Sequence, residues 1–325
     1  MRVLVVGAGA LGTVYAALLA QAGTQVTVLV KPSHVEALRA RDNHLRVEGL
    51  VSVDAPVTVV TTGAEAGTVD WLLLLVKTKD TATALAAATG CRPRAVLSLQ
   101  NGLAKNAWLA KAFGTGSVVG GVAMVAATHL AAGHARLNVN ANTWLGEPGG
   151  GASARVAALA ARLNAAGLPT TAVEDITAVE WWKVCGVLTT SLTTALARRD
   201  NAAVLSHPLL GEIYVDLARE VVAVARAEGV AVADPPGTAS PMVAWADGPR
   251  AEALAGLRQR GEQLQAAGQR PLASMAQDVL AERRTEVEDV AGEVVRRAAA
   301  RDVPVPVLAT CYRLARGLED GFPDR

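Results

Sequence analysis

The run Gly7-Ala8-Gly9-Ala10-Leu11-Gly12 stands between the apolar segment Val3-Leu4-Val5-Val6 and an alanine-rich stretch from Leu11 to Ala22. Three glycines at this spacing, in a turn from strand to helix, suit a dinucleotide pyrophosphate. The first permits the tight turn, the second lets backbone N–H groups approach the phosphates, and the third lets the helix pack on the strand. The helix N-terminus adds unpaired donors and a positive dipole end. The same pattern also serves as an ordinary glycine-rich turn, and its flanks favour binding. The ribose that separates the two nicotinamide cofactors belongs at the end of the second strand, Thr24 to Val30, where Lys31 stands and no Asp or Glu does. A cation there suits the 2′-phosphate of NADP(H), whereas an acid would suit the free 2′-hydroxyl of NAD(H); a solvated loop lysine is the plain alternative.

Ligands of open α/β sheets lie beyond the carboxyl ends of the strands, so polar residues just after strand-like runs come next. Lys77 follows Leu72 to Val76, and Asn101-Gly102 follows Val96 to Gln100. Solvated charge and turn chemistry account for them equally well. Farther on, Glu180-Trp181-Trp182-Lys183-Val184-Cys185-Gly186-Val187 places one lysine amid aromatic and apolar neighbours. Either that lysine has chemistry to do, or it snorkels with Glu180 at i−3 as its ion pair. Arg284-Thr285-Glu286-Val287-Glu288 reads as a helix start in which Thr285 caps, Glu288 completes a capping box and Glu286 sits in the first turn.

The elements that would position these residues fall into two halves. Val26 to Val30, Leu72 to Val76, Ala95 to Leu99 and Ser117 to Val119 read as short buried strands between helical stretches, a doubly wound α/β pattern. Leu45/Val47 and Val51/Val53 around Gly49 read as a hairpin, and Ala135 to Gly146 as an edge or cross-sheet strand, so the sheet is mixed. A further α-β pair, Ala152 to Ala166 and Pro169 to Val173, places the boundary near Glu174-Asp175, giving domains over 1–174 and 175–325. The second half reads as all-helical, with helices over Ile176 to Leu196, His207 to Glu228, Gly248 to Gln265, Ala273 to Glu282, Glu286 to Arg301 and Pro306 to Leu318, and a loop from Pro235 to Pro241.

Composition narrows the function classes. The chain has 325 residues, 51% of them hydrophobic and 19% charged, with a formal net charge of +1, which suits a globular protein and provides no global field for nucleic acid or an anionic membrane. The longest apolar stretches, Val69 to Val76 and Val118 to Ala127, are too short to span a bilayer, and Met1-Arg2-Val3 leads straight into the first strand, so a cytoplasmic location is expected. Cys91, Cys185 and Cys311 are scattered and odd in number, and the five histidines have no ligand spacing, so neither a disulfide framework nor a metal is expected.

Taken in order, Gly7 to Gly12, Val76-Lys77, Gln100-Asn101-Gly102, Trp181-Trp182-Lys183, Ala273-Ser274-Met275 and Arg284 to Glu288 resemble the ketopantoate reductases (2-dehydropantoate 2-reductases) over nearly the whole chain. The resemblance implies a Rossmann domain followed by a helical domain and an NADPH-dependent reduction of a small 2-keto acid, with room for a homodimer. It implies Lys183 as the catalytic lysine and Asn101 as the asparagine that positions it. Glu286 would hold the substrate's hydroxyl, Ser274 would touch its carboxylate, and Lys77 would neighbour the cofactor, which Gly7, Ala8, Gly9, Ala10, Leu11, Gly12, Lys31 and Asn101 also contact. A protonated lysine beside the carbonyl both stabilises charge developing on oxygen and donates a proton.

Three positions depart from the family's pattern. Val187 and Ser191 stand four and eight places after Lys183, and Pro271 stands before the Ser-Met pair, where the family has asparagines. Fewer amide donors would weaken selection for a polar substrate. Ser191 remains a candidate substrate contact. The readings are therefore a ketopantoate reductase, a diverged reductase of another 2-keto acid or imine, or a non-catalytic NADP(H)-binding sensor.

Overall fold

The computed structural model describes residues 1–236 and 238–323. Its strands are β1 (Arg2–Val6), β2 (Gln25–Leu29), β3 (His44–Gly49), β4 (Val53–Pro56), β5 (Thr58–Val60), β6 (Thr68–Leu74), β7 (Arg92–Ser98), β8 (Val118–Ala131), β9 (His134–Gly146) and β10 (Thr170–Ala172). The helices interleaved with them are α1 (Ala10–Gln21), α2 (Pro32–Arg39), α3 (Gly63–Ala66), α4 (Thr81–Ala87), α5 (Lys105–Phe113) and α6 (Ala154–Ala165). The chain then continues through α7 (Ile176–Ala197), α8 (Asn201–Ser206), α9 (Pro208–Ala227), α10 (Met242–Asp247), α11 (Arg250–Ala266), α12 (Ser274–Leu280), α13 (Glu293–Ala300) and α14 (Pro306–Glu319).

Two compact units result: Met1–Gln100 with Ala104–Thr177, and Asn101–Leu103 with Ala178–Arg325. In the first, the sheet order is β4-β3-β9-β8-β7-β6-β1-β2-β5, with β10 paired to β9. The β5-β2-β1-β6-β7-β8 stretch is parallel throughout. Parallel strands are covered on both faces, which is why β1 is apolar at nearly every position. Val3 and Val5 join a core with Val14 and Leu18 of α1, while Leu4 and Val6 join another with Leu72, Val96 and Leu109.

The structure refines the expectations for this unit at three points. The strand expected over Ala135 to Gly146 forms, and of its two expected places the edge is excluded: β9 lies inside the sheet, antiparallel to β8 and parallel to β3. The strand expected over Ser117 to Val119 runs on to Ala131, because β8 bends through several register shifts against β9 and loses a simple alternation. Helix α2, directly after Lys31, was not expected, although Pro32 at its first position is a helix-start signal. The hairpin around Gly49 is present as antiparallel β3 and β4.

Among its described residues the second unit is helical, with no strand. From α9, Glu220 accepts from the N–H groups of Val307 (2.9 Å) and Leu308 (2.7 Å) at the start of α14, and Arg219 donates to the carbonyls of Ala246 (3.1 Å) and Gly248 (2.9 Å) at the end of α10. Helices α8 and α10 were not expected, since each is only six residues long and shows no full amphipathic repeat. The expected loop over Pro235 to Pro241 includes Gly237, which lies outside the described residues. Cys91, Cys185 and Cys311 are buried free thiols, and burial pushes Cys185 up to about 12. No helix among the described residues is long and apolar enough to cross a membrane.

Candidate active site

In the first unit the glycine turn leaves the carboxyl end of β1, flanked by the ends of β2 and β6. Gly7 has φ +102°, and a Cβ there would lie 2.5 Å from Val76 Cγ1, so the segment leading to Lys77 packs on the turn. A Cβ on Gly12 would overlap the carbonyl oxygen of Gly7. Both glycines are thus required by the fold. Gly9 is different: its backbone (φ −74°, ψ −167°) is open to any residue, and a Cβ there would meet nothing within 4 Å. No side chain caps α1, whose first turn contains no acidic residue. Open space over Gly9, beside an uncapped helix N-terminus, fits a pyrophosphate, which backbone donors and the helix dipole would hold there.

Around that turn, Lys31 Nζ pairs with Asp80 Oδ1 at 3.0 Å. Asp80 ends a short 3₁₀ turn, Thr78–Asp80, after β6. The Gln100 side-chain amide fixes this segment by donating to Val76 O at 2.9 Å and Thr81 Oγ1 at 2.8 Å. The structure thus gathers Lys31, Lys77 and the glycine turn beyond the carboxyl ends of three adjacent parallel strands, β2, β1 and β6.

In the second unit, a small pocket open to solvent is lined by Asn101, Val187, Ser191, Ser274, Met275, Asp278, Glu286 and Val290. Four candidates meet there: Asn101, Ser191, Ser274 and Glu286. Lys183 and Pro271 are not among the lining residues. Lys183 precedes Val187 and Ser191 on α7 at i, i+4, i+8 spacing, so all three share one stripe of the helix. Of the three departures from the family's pattern, Val187 and Ser191 therefore face the pocket. Asn101 is held by its neighbour: Gly102 has φ +90°, and a Cβ there would come 3.2 Å from the Asp289 carbonyl oxygen and 3.6 Å from Val290 Cγ2.

The helix start carrying Glu286 forms, but the expected capping box does not. Thr285 Oγ1 accepts from Val287 N at 3.1 Å, as an N-cap should. Glu288 turns away, its carboxylate accepting from Tyr312 Oη and from Arg296 Nη1, and these hydrogen bonds hold it below the usual carboxylate range. Glu319 of α14 takes its place and accepts the Thr285 N–H at 2.6 Å. The helix expected to run from Glu286 to Arg301 opens with a π-helical turn, Glu288–Gly292, before α13. Such turns recur at functional sites.

The sequence reading missed Asp278, whose side chain is 4% exposed and pairs with Arg283 Nη2 at 2.9 Å. Its i+4 spacing from Ser274 on α12 was the available signal. The pairing depends on a Schellman turn: Glu282 N donates to Val279 O (3.1 Å), Arg283 N donates to Asp278 O (2.8 Å), and Glu282 adopts φ +50°. This folds Arg283 back over the acid.

Family models describing ketopantoate reductase PanE/ApbA and its C-terminal region match residues 3–150 and 175–319. The chain belongs to this family. It is 33% identical over 321 residues to a 2-dehydropantoate 2-reductase of Halobacterium salinarum, covering 97% of this chain and 98% of that one. A solved 2-dehydropantoate 2-reductase from Methylococcus capsulatus superposes with TM-score 0.82 at 26% identity, over 100% of this chain and 99% of that one. A D-mandelate dehydrogenase solved with NADH and anilino(oxo)acetate has TM-score 0.81 at 20% identity, over 98% and 99%, a likeness of fold alone. The chain is accordingly an oxidoreductase acting on a CH–OH/C=O pair, from an NAD(P)-dependent family whose substrates are small keto acids.

Proposed function

We propose that this enzyme reduces 2-dehydropantoate to (R)-pantoate with NADPH, a step of pantothenate biosynthesis. The observation that supports this most is the convergence of Asn101, Ser191, Ser274 and Glu286 on one pocket, with Lys183 on the α7 stripe that Val187 and Ser191 share. The cofactor supplies the hydride. Lys183 donates a proton to the carbonyl oxygen as negative charge develops there, and Asn101 holds the lysine in position. Ser274 takes the substrate's carboxylate, and Glu286 accepts a hydrogen bond from its hydroxyl. Asp278 comes to the same pocket already paired with Arg283, so it brings little net charge against an anionic substrate. Gly7 to Gly12 hold the pyrophosphate, Lys77 neighbours it, and Lys31 prefers the phosphorylated ribose.

A second reading follows from Val187, which puts an apolar surface in the pocket where the family resemblance expects an amide. It favours a reductase of a less polar 2-keto acid, or of an imine formed from one. The deciding experiment follows NADPH and NADH oxidation against a panel of 2-keto acids, including 2-dehydropantoate and the same skeleton without its hydroxyl. The first reading expects the highest kcat/KM for 2-dehydropantoate with NADPH. Faster turnover of the deoxy analogue would favour the second, and tight NADPH binding with no turnover on any substrate would leave a sensor.

A further inference from the structure

We propose that Asp80 is a cofactor-specificity residue: its carboxylate is a built-in counter-ion of Lys31 that competes with the 2′-phosphate of NADPH. The inference rests on the reading of Lys31 given above. Strands β2 and β6 flank β1, so the 3.0 Å bridge from Lys31, just beyond β2, to Asp80, beyond β6, arches over the end of β1 where the glycine turn begins. The Lys31 end of this bridge, beyond β2, is where the adenosine ribose of a dinucleotide belongs. The two partners differ in freedom. Asp80 sits in a turn closed by its own N–H to Lys77 O (3.0 Å) and secured on both sides by Gln100, whereas Lys31 is a long side chain, 58% exposed. Lys31 is therefore the partner that moves.

An exposed ion pair is weak enough to be displaced by a dianion, but breaking the Lys31–Asp80 attraction takes back part of what the phosphate gains from Lys31. With NADH, which lacks the phosphate, the pair stays intact. Asp80 thus narrows the margin by which NADPH is preferred, without contacting the reacting atoms.

The test is direct titration of NADPH and NADH, by calorimetry or nicotinamide fluorescence, in wild type, Asp80→Asn, Lys31→Ala and the double variant. Asp80→Asn should tighten NADPH by about two- to fivefold, the scale of an exposed ion pair, and leave NADH unchanged within error. In the Lys31→Ala background the same change should have at most half that effect. If Lys31→Ala weakens NADPH while Asp80→Asn does not tighten it, the inference fails and the reading of Lys31 stands. If Lys31→Ala leaves NADPH unaffected, both fall. Weaker NADH binding in Asp80→Asn would make Asp80 a ribose ligand instead, which also overturns the proposal.

Discussion

The backbone N–H of Thr285 donates to Oε1 of Glu319 at 2.6 Å, and the Thr285 hydroxyl binds the same oxygen from 34 positions away in sequence. The residue after Thr285 is Glu286, so the last turn of α14 fixes the start of the segment that presents the pocket acid. Glu220 in turn fixes the first turn of α14 from α9. A local motif, the expected capping box, is replaced by a relay across three helices.

Glu319→Ala should therefore cost about 1–3 kcal/mol, because it leaves a buried N–H and a hydroxyl without their acceptor. Glu319→Gln keeps one acceptor and should cost less. Denaturant midpoints measure both. The activity of the alanine variant should fall mainly through KM, since the reacting groups remain while Glu286 loses its support.

The glycine turn separates fold from binding. Gly9→Val should leave the protein folded, since its backbone angles are ordinary and the space above it is open, yet nearly abolish cofactor binding. Gly12→Val should instead lower Tm sharply, because the side chain would collide with Gly7 O. Normal cofactor affinity in the Gly9 variant would make the turn purely structural.

What was legible in the sequence is what local physics dictates. The runs forming β1, β2, β6 and β7 are apolar because both faces are covered, and Gly49 between alternating valines and leucines encodes a hairpin. The groups that fix the pocket were less visible because their partners are distant. No periodicity links Thr285 to Glu319, or Lys31 to Asp80 across 49 positions. Residues of β8 beyond Met124 alternate poorly because they are largely exposed and paired across bulges, so the strand looked short. Asp278 was passed over because a buried acid near a helix end reads as a surface charge until the Schellman turn returns Arg283 to it.

In the proposed mechanism Lys183 acts on the carbonyl oxygen and does not hold the cofactor. Lys183→Ala should lower kcat by about 10²-fold or more, the loss expected when a positioned acid or oxyanion donor is removed. NADPH affinity, measured by fluorescence titration, should change little. A variant with near-normal kcat would remove the lysine from the mechanism and return it to the role of a snorkelling side chain on α7.

Glu286 offers the sharpest reading of substrate identity. It sits beside Ser191, Ser274 and Asn101, and its place one residue beyond the Thr285 cap is set from outside the pocket by Glu319. A carboxylate that accepts a hydrogen bond from a substrate hydroxyl discriminates strongly, because a substrate lacking that group leaves the acceptor desolvated and unpaired. Glu286→Ala should therefore damage kcat/KM for 2-dehydropantoate far more than for the deoxy 2-keto acid, narrowing the ratio between them through the fall on 2-dehydropantoate. Equal losses on the two substrates would assign Glu286 to helix-start electrostatics, for which its position in the first turn is also suited. The comparison is informative only with the Thr285–Glu319 link intact, so the variant's denaturant midpoint should first be shown to match that of wild type.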